Sequence, residues 1–363
     1  MEEQTLSQRL HIDLPLLAGL LILCSIGLVI LYSAGGQERE IIIRQVFRMG
    51  VAFLFMFIIA QFPPAQIERW SLWLYLFGVL LLVTVLITGE IGRGAQRWLD
   101  LHFFRFQPSE IMKLAVPMVI AWYLSDKSLP PTIGRVMVAC GMIIVPVLLI
   151  AKQPDLGTSL LVAAAGFSVL FIAGIRWRLL LSLVLLAAIS APVIWYSMHA
   201  YQKQRVITFL DPERDPLGAG YHIIQSKIAI GSGGIYGKGW LNGTQSHLEF
   251  LPESSTDFIF AVLCEEFGLM GVLFLLCIYM FIIVRGFSIA INAQQTYGRL
   301  LAGGLILTFF VYIFVNIGMV TGQLPVVGVP LPLISLGGTS MVTLIVAFGI
   351  LMAIHTHRRF LSF

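Results

Sequence analysis

The sequence predicts an all-α polytopic membrane protein with about ten transmembrane helices and one large extracytoplasmic loop. Three observations carry this expectation. Hydrophobic residues make up 58% of the 363-residue chain and charged residues 12%, where soluble domains carry about a quarter charged. Mean hydropathy is +0.90. Apolar runs of spanning length recur from end to end, interrupted once by a long polar, glycine-rich segment at about 199–255.

The runs lie at 14–34, 46–62, 70–88, 110–125, 134–151, 157–174, 178–198, 257–284, 300–321 and 336–354, each near the length that crosses a hydrocarbon core. The first is too long and too lightly flanked by basic residues for a cleaved signal peptide and reads as a signal anchor. Cys24, Cys140, Cys264 and Cys277 all fall inside runs, without metal-type spacing, and are expected to be small core residues. No linker, repeat or low-complexity tail divides the chain, so residues 1–363 are expected to form a single membrane domain. The segment from Leu324 to Pro332 is too apolar for a water-facing loop. It is expected to dip back into the bundle, where protein or a wet cavity satisfies its backbone. Gly303, Gly304 and Gly318 are expected on an apolar outward face open to close helix packing.

An even number of spans places both termini on one side. The short connections there carry Arg69, Lys127, Arg135, Arg176, Arg178, Arg285, Arg299, Arg358 and Arg359 close to helix ends, which assigns that side to the cytoplasm. A plain count of lysine and arginine runs the other way, but the outer cations are mixed with carboxylates. The outer face therefore gathers the chemistry.

Four outer clusters are candidates. Arg93 to Asp100 leads into Phe106-Gln-Pro-Ser-Glu110 and Lys113, where Pro108 marks a helix start with Ser109 as its N-cap. Glu110 and Lys113 share a face. With Arg97 they suit a phosphate at a helix N-terminus; the plainer reading is an ion pair that anchors the helix. The second cluster, Lys152-Gln-Pro-Asp155-Leu-Gly-Thr158, reads as a capped helix start whose carboxylate also orients a neighbouring cation. The third is the large loop, with Arg205, Lys227 and Lys238 among glycines. Its glycines do not make a nucleotide loop, because Ser232 and Gly239 stand where that motif needs glycine and a hydroxyl. Within it, 223–230 reads as a short amphipathic helix at the interface, and its cations suit an anionic headgroup. The fourth is Asp257, at the border between loop and apolar helix, with Glu265 and Glu266 further along. Such carboxylates need partners or a task; for Asp257 the plainer task is a cap or a salt bridge. If the helix already includes Asp257, a step of about 100° per residue makes Glu265 its nearer companion.

At these residues the chain resembles the SEDS family (shape, elongation, division and sporulation). The matching segments include Gly94–Asp100, Phe106–Glu110, Gln153–Thr158, Leu210–Glu213, Asp215–His222, Ile223–Gly234, Gly237–Trp240, Gly243–Ser246, Phe250–Glu253, Thr256–Phe260, Asn316–Val320 and Pro330–Gly338. They cover nearly the whole chain. The Gly-Thr-Gln-Ser and Gly-Lys-Gly-Trp forms favour the rod-shape branch over the division branch. Ser255 and Leu336 depart from the family pattern, which commonly has histidine and an aromatic there.

The resemblance implies a peptidoglycan glycosyltransferase of the bacterial cytoplasmic membrane that polymerises lipid II on the outer face and releases undecaprenyl pyrophosphate. It implies Asp257 as the catalytic base, Arg97, Lys113, Arg205 and Lys227 as cations for the pyrophosphate, and Glu110, Asp155 and Glu265 in support. A divalent cation, Mg2+ or Mn2+, would share the pyrophosphate, although no ligand spacing demonstrates one. The implied protein partner is a class B penicillin-binding protein of the elongation complex. Membrane lipids surround the chain, and no nucleic-acid partner is expected. The competing expectations are a lipid II flippase or transporter and a non-enzymatic scaffold. A carrier would place its ionisable groups near the midplane, where only Glu265 and Glu266 are expected.

Overall fold

The computed structural model describes residues 10–88, 90–92, 95–100, 105–198, 200–214, 220–247 and 253–357. Long helices occupy all ten apolar runs: α1 Leu14–Ala34, α2 Arg39–Ala60, α3 Pro64–Thr88, α4 Pro108–Ser125, α5 Ile133–Lys152, α6 Leu156–Ile172, α7 Trp177–Ser197, α11 Ile259–Ile291, α12 Thr296–Val320 and α13 Thr339–Thr356. Seven of these (α1, α2, α3, α5, α11, α12 and α13) are long and apolar enough to cross a membrane by length and composition. The other three fall short for visible reasons. Helix α4 carries Glu110 and Lys113 near its start, and α6 has 17 residues. In α7 the described apolar stretch is Trp177–Ser190.

The large loop is mostly helical. It contains α8 Ala200–Leu210, a 3-10 turn at Pro212–Arg214, α9 Tyr221–Gly233 and α10 Thr244–His247. The helix expected at 223–230 exists, but it packs against α11 and α12. Ala229 is fully buried, and Ser226 Oγ donates to Val320 O at 2.8 Å. Between α3 and α4 stands a small antiparallel sheet that the all-α expectation did not include: β1 Glu90–Gly92, β2 Ala95–Asp100 and β3 Arg105–Phe106, in that order. Strands this short leave no period-two pattern to read.

Helix α12 is the centre of the bundle. Of its most apolar 18-residue window 72% is buried, against 22% for α2. It packs on α6, α11 and α4, while α2 lies along α13 and α3 along α4. A helix apolar on all faces belongs in such a position. This corrects the expectation for the α12 glycines. A side chain at Gly303 would meet Ile172, one at Gly304 would meet Val169, and one at Gly318 would meet Leu324. Their missing side chains admit neighbours from within the chain, not a partner's helix. Cys24, Cys140 and Cys264 are buried as expected, whereas Cys277 is exposed.

Helix α11 is broken at Gly268, whose φ of 60° lies in the left-handed region that glycine adopts at little cost. A break exposes backbone groups that a membrane interior cannot hydrate. Residues 234–239 supply the partners. Lys238 N donates to Glu265 O at 3.0 Å and Gly239 N to Glu266 O at 2.9 Å; Leu269 N and Met270 N donate to Gly234 O and Ile235 O at 3.0 and 3.1 Å. The glycine-rich run thus serves close backbone approach, since any side chain at Gly233 or Gly237 would collide with the α11 backbone.

The linker Leu324 to Pro332 turns back into the bundle as expected, with Val329 and Leu331 buried. Its polar groups find protein partners. Asn316 Nδ2 donates to Val329 O at 2.7 Å, Tyr279 OH donates to Pro332 O at 2.7 Å, and Leu331 N donates to Ser335 Oγ at 2.8 Å.

Candidate active site

The turn Glu253–Phe258 holds Asp257. Helix α11 begins only at Ile259, with Phe258 as its N-cap and no side-chain cap. Asp257 is therefore not the cap, and the angular argument pairing it with Glu265 does not apply, because Asp257 lies outside the helix. Glu253, which opens the turn, has φ of 53°, a conformation that costs a non-glycine residue energy and clusters at functional sites. Its carbonyl accepts from Thr256 N and Phe258 N, and Thr256 Oγ1 donates to its carboxylate at 2.8 Å.

Burial first, and then the neighbouring Glu253 carboxylate, raise the Asp257 carboxyl to about 6, against Arg205 on α8, which draws it down. Such displacement of a carboxyl in a recess is a mark of a functional site. His222 on α9 stacks on Phe258, ring centroids 5.7 Å apart. Burial holds its imidazole below the usual range, against the opposing pull of Glu253. On the other side, Gly328 of the re-entrant linker (φ 75°) leaves room for Asp257: a methyl group there would sit 3.3 Å from Asp257 Oδ2. Asp257, Glu253, Arg205, His222 and Gly328 thus form one group from four separate parts of the chain.

The remaining expected residues lie apart from this group. Arg97 on β2 forms an ion pair with Asp155 at 3.6 Å and donates to Pro154 O. Asp155 caps α6 through Thr158 N at 3.2 Å and also accepts from Gln107 Nε2 at 3.0 Å. Both readings of Asp155, cap and cation holder, hold together. Lys113 Nζ lies 2.7 Å from Glu110 Oε1, with both side chains buried, and 5.4 Å from the centre of the Tyr312 ring. Ser109 is not the cap of α4. Gln107 occupies that position and Pro108 takes the first helical one, where proline's missing N–H costs nothing. Lys113 also closes the polar end of a narrow apolar cleft between α4, α12 and α13, lined by Leu305, Phe309, Leu344 and Phe348 among others.

Lys227 is exposed and runs over Gly322 just beyond α12. Glu265 is fully buried and turned toward the loop at 238–245, not toward Asp257. Glu266, also buried, accepts from Ser33 Oγ. Among the described residues no three His, Cys, Asp or Glu side chains are placed to hold a metal ion. Asp257 and Glu253 alone do not make a protein-built metal site.

Comparison with known proteins follows the same lines. The family model FTSW_RODA_SPOVE, described as cell cycle protein, matches residues 7–360. The peptidoglycan glycosyltransferase MrdB of Escherichia coli K12 is 53% identical over 361 residues, covering 99% of this chain and 98% of that protein. Stage V sporulation protein E of Bacillus subtilis is 35% identical over 360 residues, covering 96% and 98%. A chain solved in a study of the structural coordination of polymerization and crosslinking by a peptidoglycan synthase complex superposes with a TM-score of 0.82 at 32% identity, covering 94% of this chain and 97% of its own. The rod shape determining protein RodA of Thermus thermophilus superposes with a TM-score of 0.72 at 26% identity, covering 94% and 96%.

Proposed function

This chain belongs to the FtsW, RodA and SpoVE family, the SEDS family its motifs resemble, and from that membership we propose how its outer turn performs glycosyl transfer. The chain is a multi-pass membrane protein and a peptidoglycan glycosyltransferase of the cell-shape branch. The reaction we assign to it joins two lipid II molecules. A sugar hydroxyl of one attacks the anomeric carbon of the other, the new C–O bond replaces the bond to phosphate, and undecaprenyl pyrophosphate departs with the electron pair. The hydroxyl proton passes to Asp257.

The observation that carries this reading is the raised carboxyl of Asp257, recessed beside Arg205. A base that titrates near neutrality accepts a proton in the transition state and releases it afterwards. Arg205 is the cation best placed to meet charge that develops next to that base. Arg97 and Lys113 are held by carboxylates and shape the region, and Lys227 is free to reach an approaching headgroup. The narrow apolar cleft ending at Lys113 marks where the helices would part to admit a prenyl chain laterally. Glu265 and Glu266, the two glutamates within α11, are both engaged in holding the fold. That favours an enzyme over a carrier.

Residues 1–363 act as one domain with both termini cytoplasmic and the Asp257 turn outside. A class B penicillin-binding protein crosslinks the product, in keeping with the synthase complex to which the solved relative belongs. The test is incubation of purified protein with lipid II, scored for glycan chains. Asp257→Asn should lower polymerisation by about 10²-fold or more while lipid II binding persists. Normal glycan synthesis by folded Asp257→Asn would remove the base assignment. Lipid scrambling without polymer by the parent protein would select the flippase instead.

A further inference from the structure

Three consecutive carbonyls of the Asp257 turn each accept a hydrogen bond from a different donor, one on α12 and two in the segment that joins the re-entrant linker to α13. Leu336 N donates to Ser255 O at 2.8 Å. Ser335 Oγ donates to Thr256 O at 2.6 Å. Asn316 Nδ2 donates to Asp257 O at 2.9 Å. Two of these donors are anchored again on the linker, Asn316 through Val329 O and Ser335 through Leu331 N. Two carbonyls in reach of one terminal group fix the amide orientation of Asn316, since only its NH2 donates. Asn316 is 0% exposed and Ser335 2%, so water cannot replace either bond.

The geometry points to Asn316 and Ser335 as positioning residues for the glycosyl transfer, which fix the Asp257 carboxylate against Gly328 by clamping the turn to the re-entrant linker. The inference rests on Asp257 being the base. The strained Glu253 at the start of the turn gives the clamp its purpose. A turn opened by a left-handed non-glycine residue relaxes unless its surroundings overdetermine it. Glu253 in the turn and Arg205 from α8 bear on the carboxylate, and His222 from α9 stacks on the neighbouring Phe258. Asn316 and Ser335 bond to backbone carbonyls of the turn, so the clamp acts through backbone geometry.

Ser335→Ala removes both bonds of the hydroxyl, Ser335→Thr keeps the hydroxyl, and Asn316→Leu keeps bulk without donors. Each is measured as full-length protein for kcat and KM with lipid II, for the pH dependence of kcat, and for melting temperature. A carboxylate misplaced by a fraction of an ångström costs about tenfold or more in kcat, and KM should stay within about twofold, because the pyrophosphate cations are untouched. A loosened turn also lets water reach the carboxyl, so the acidic limb of the profile should move down by about half a pH unit or more. Ser335→Thr should restore both. Unchanged kcat in folded Ser335→Ala and Asn316→Leu would overturn the clamp. So would a loss of activity that tracks melting temperature with the profile unmoved. Asp257→Asn run in parallel separates the two failures. If it is inactive while the clamp variants are normal, only the clamp is lost. If it is fully active, the base assignment falls and takes the clamp with it.

Discussion

Lys238 Nζ lies 2.7 Å from Glu265 Oε1, joining the outer loop to the helix turn just before the break at Gly268. The same carboxylate accepts from Thr244 N at 2.9 Å, Thr244 Oγ1 at 3.0 Å and Gln245 N at 3.1 Å. Glu265 is therefore the buried peg on which residues 238–245 hang. Glu265→Gln keeps the shape but loses the charge, and one half of an amide cannot accept. The variant should lose about 2 kcal/mol of stability, the size of lost hydrogen bonds to a charged group. Proteolysis at 238–245 should rise with it. Lys238→Ala should cost less, since Thr244 and Gln245 still serve the carboxylate. Equal melting temperatures for Glu265→Gln and the parent would contradict this.

Asp155 has two tasks that substitution separates. Asp155→Asn keeps an oxygen for Thr158 N but gives up the charge that faces Arg97. It should leave helix stability nearly intact and free Arg97 to move. Asp155→Ala loses the cap as well, at about 1 kcal/mol further. Melting curves of the two variants should differ by that amount, while both lower polymerisation because Arg97 no longer holds β2 to the start of α6.

The helices were legible because each is an apolar run of membrane length, and the re-entrant linker was legible because nine apolar or proline-rich residues cannot face water. The group around Asp257 was only half legible. Asp257 and Arg205 announce themselves as charges beside a span. Asn316 stands out only as a lone amide within an apolar run, and Ser335 only as one hydroxyl in the Pro330–Gly338 motif. What they do depends on Ser255, Thr256 and Asp257 arriving opposite them from far along the chain. The glycines at 231–239, which do not make a nucleotide loop, serve the break in α11, whose position no local pattern marks. Ser255 and Leu336, which depart from the family pattern in side chain, meet through backbone atoms. That bond depends on neither side chain.

Membrane orientation follows from helix direction once one end is fixed. Helices α1 and α11 run antiparallel: Ser254 Oγ donates to Ala34 O beside the Asp257 turn, and Asp13 pairs with Arg285 at the opposite end. Cysteine placed at Pro130 or Arg176 should be labelled from the cytoplasm, and at Trp98, Arg214 or Gln245 from outside, as charge at helix ends requires. Labelling at 245 only from the cytoplasm would place the Asp257 turn inside the cell and exclude an outer-face polymerase.

If Asp257 is the base, the pH dependence of polymerisation reads its site. The fold raises its carboxyl to about 6, so the folded protein holds that proton more tightly than the unfolded chain does. A base works only when ionised, so kcat should climb through about pH 6, where an unperturbed carboxylate would give a limb near about 4. The neighbours set the direction of each shift. Glu253→Gln removes a negative charge that favours the proton and should move the limb down. Arg205→Gln removes the cation that opposes it and should move the limb up. For stability the sign is reversed from the usual aspartate: the ionised carboxylate weighs against the fold above about 6, and this relief arrives as pH falls toward about 4. Asp257→Asn abolishes that penalty, so at pH 7.5, taken as roughly physiological, the variant should melt at or above the parent temperature even while it fails to polymerise. A limb that stays put in both Glu253→Gln and Arg205→Gln would show that some other group is the titrating base.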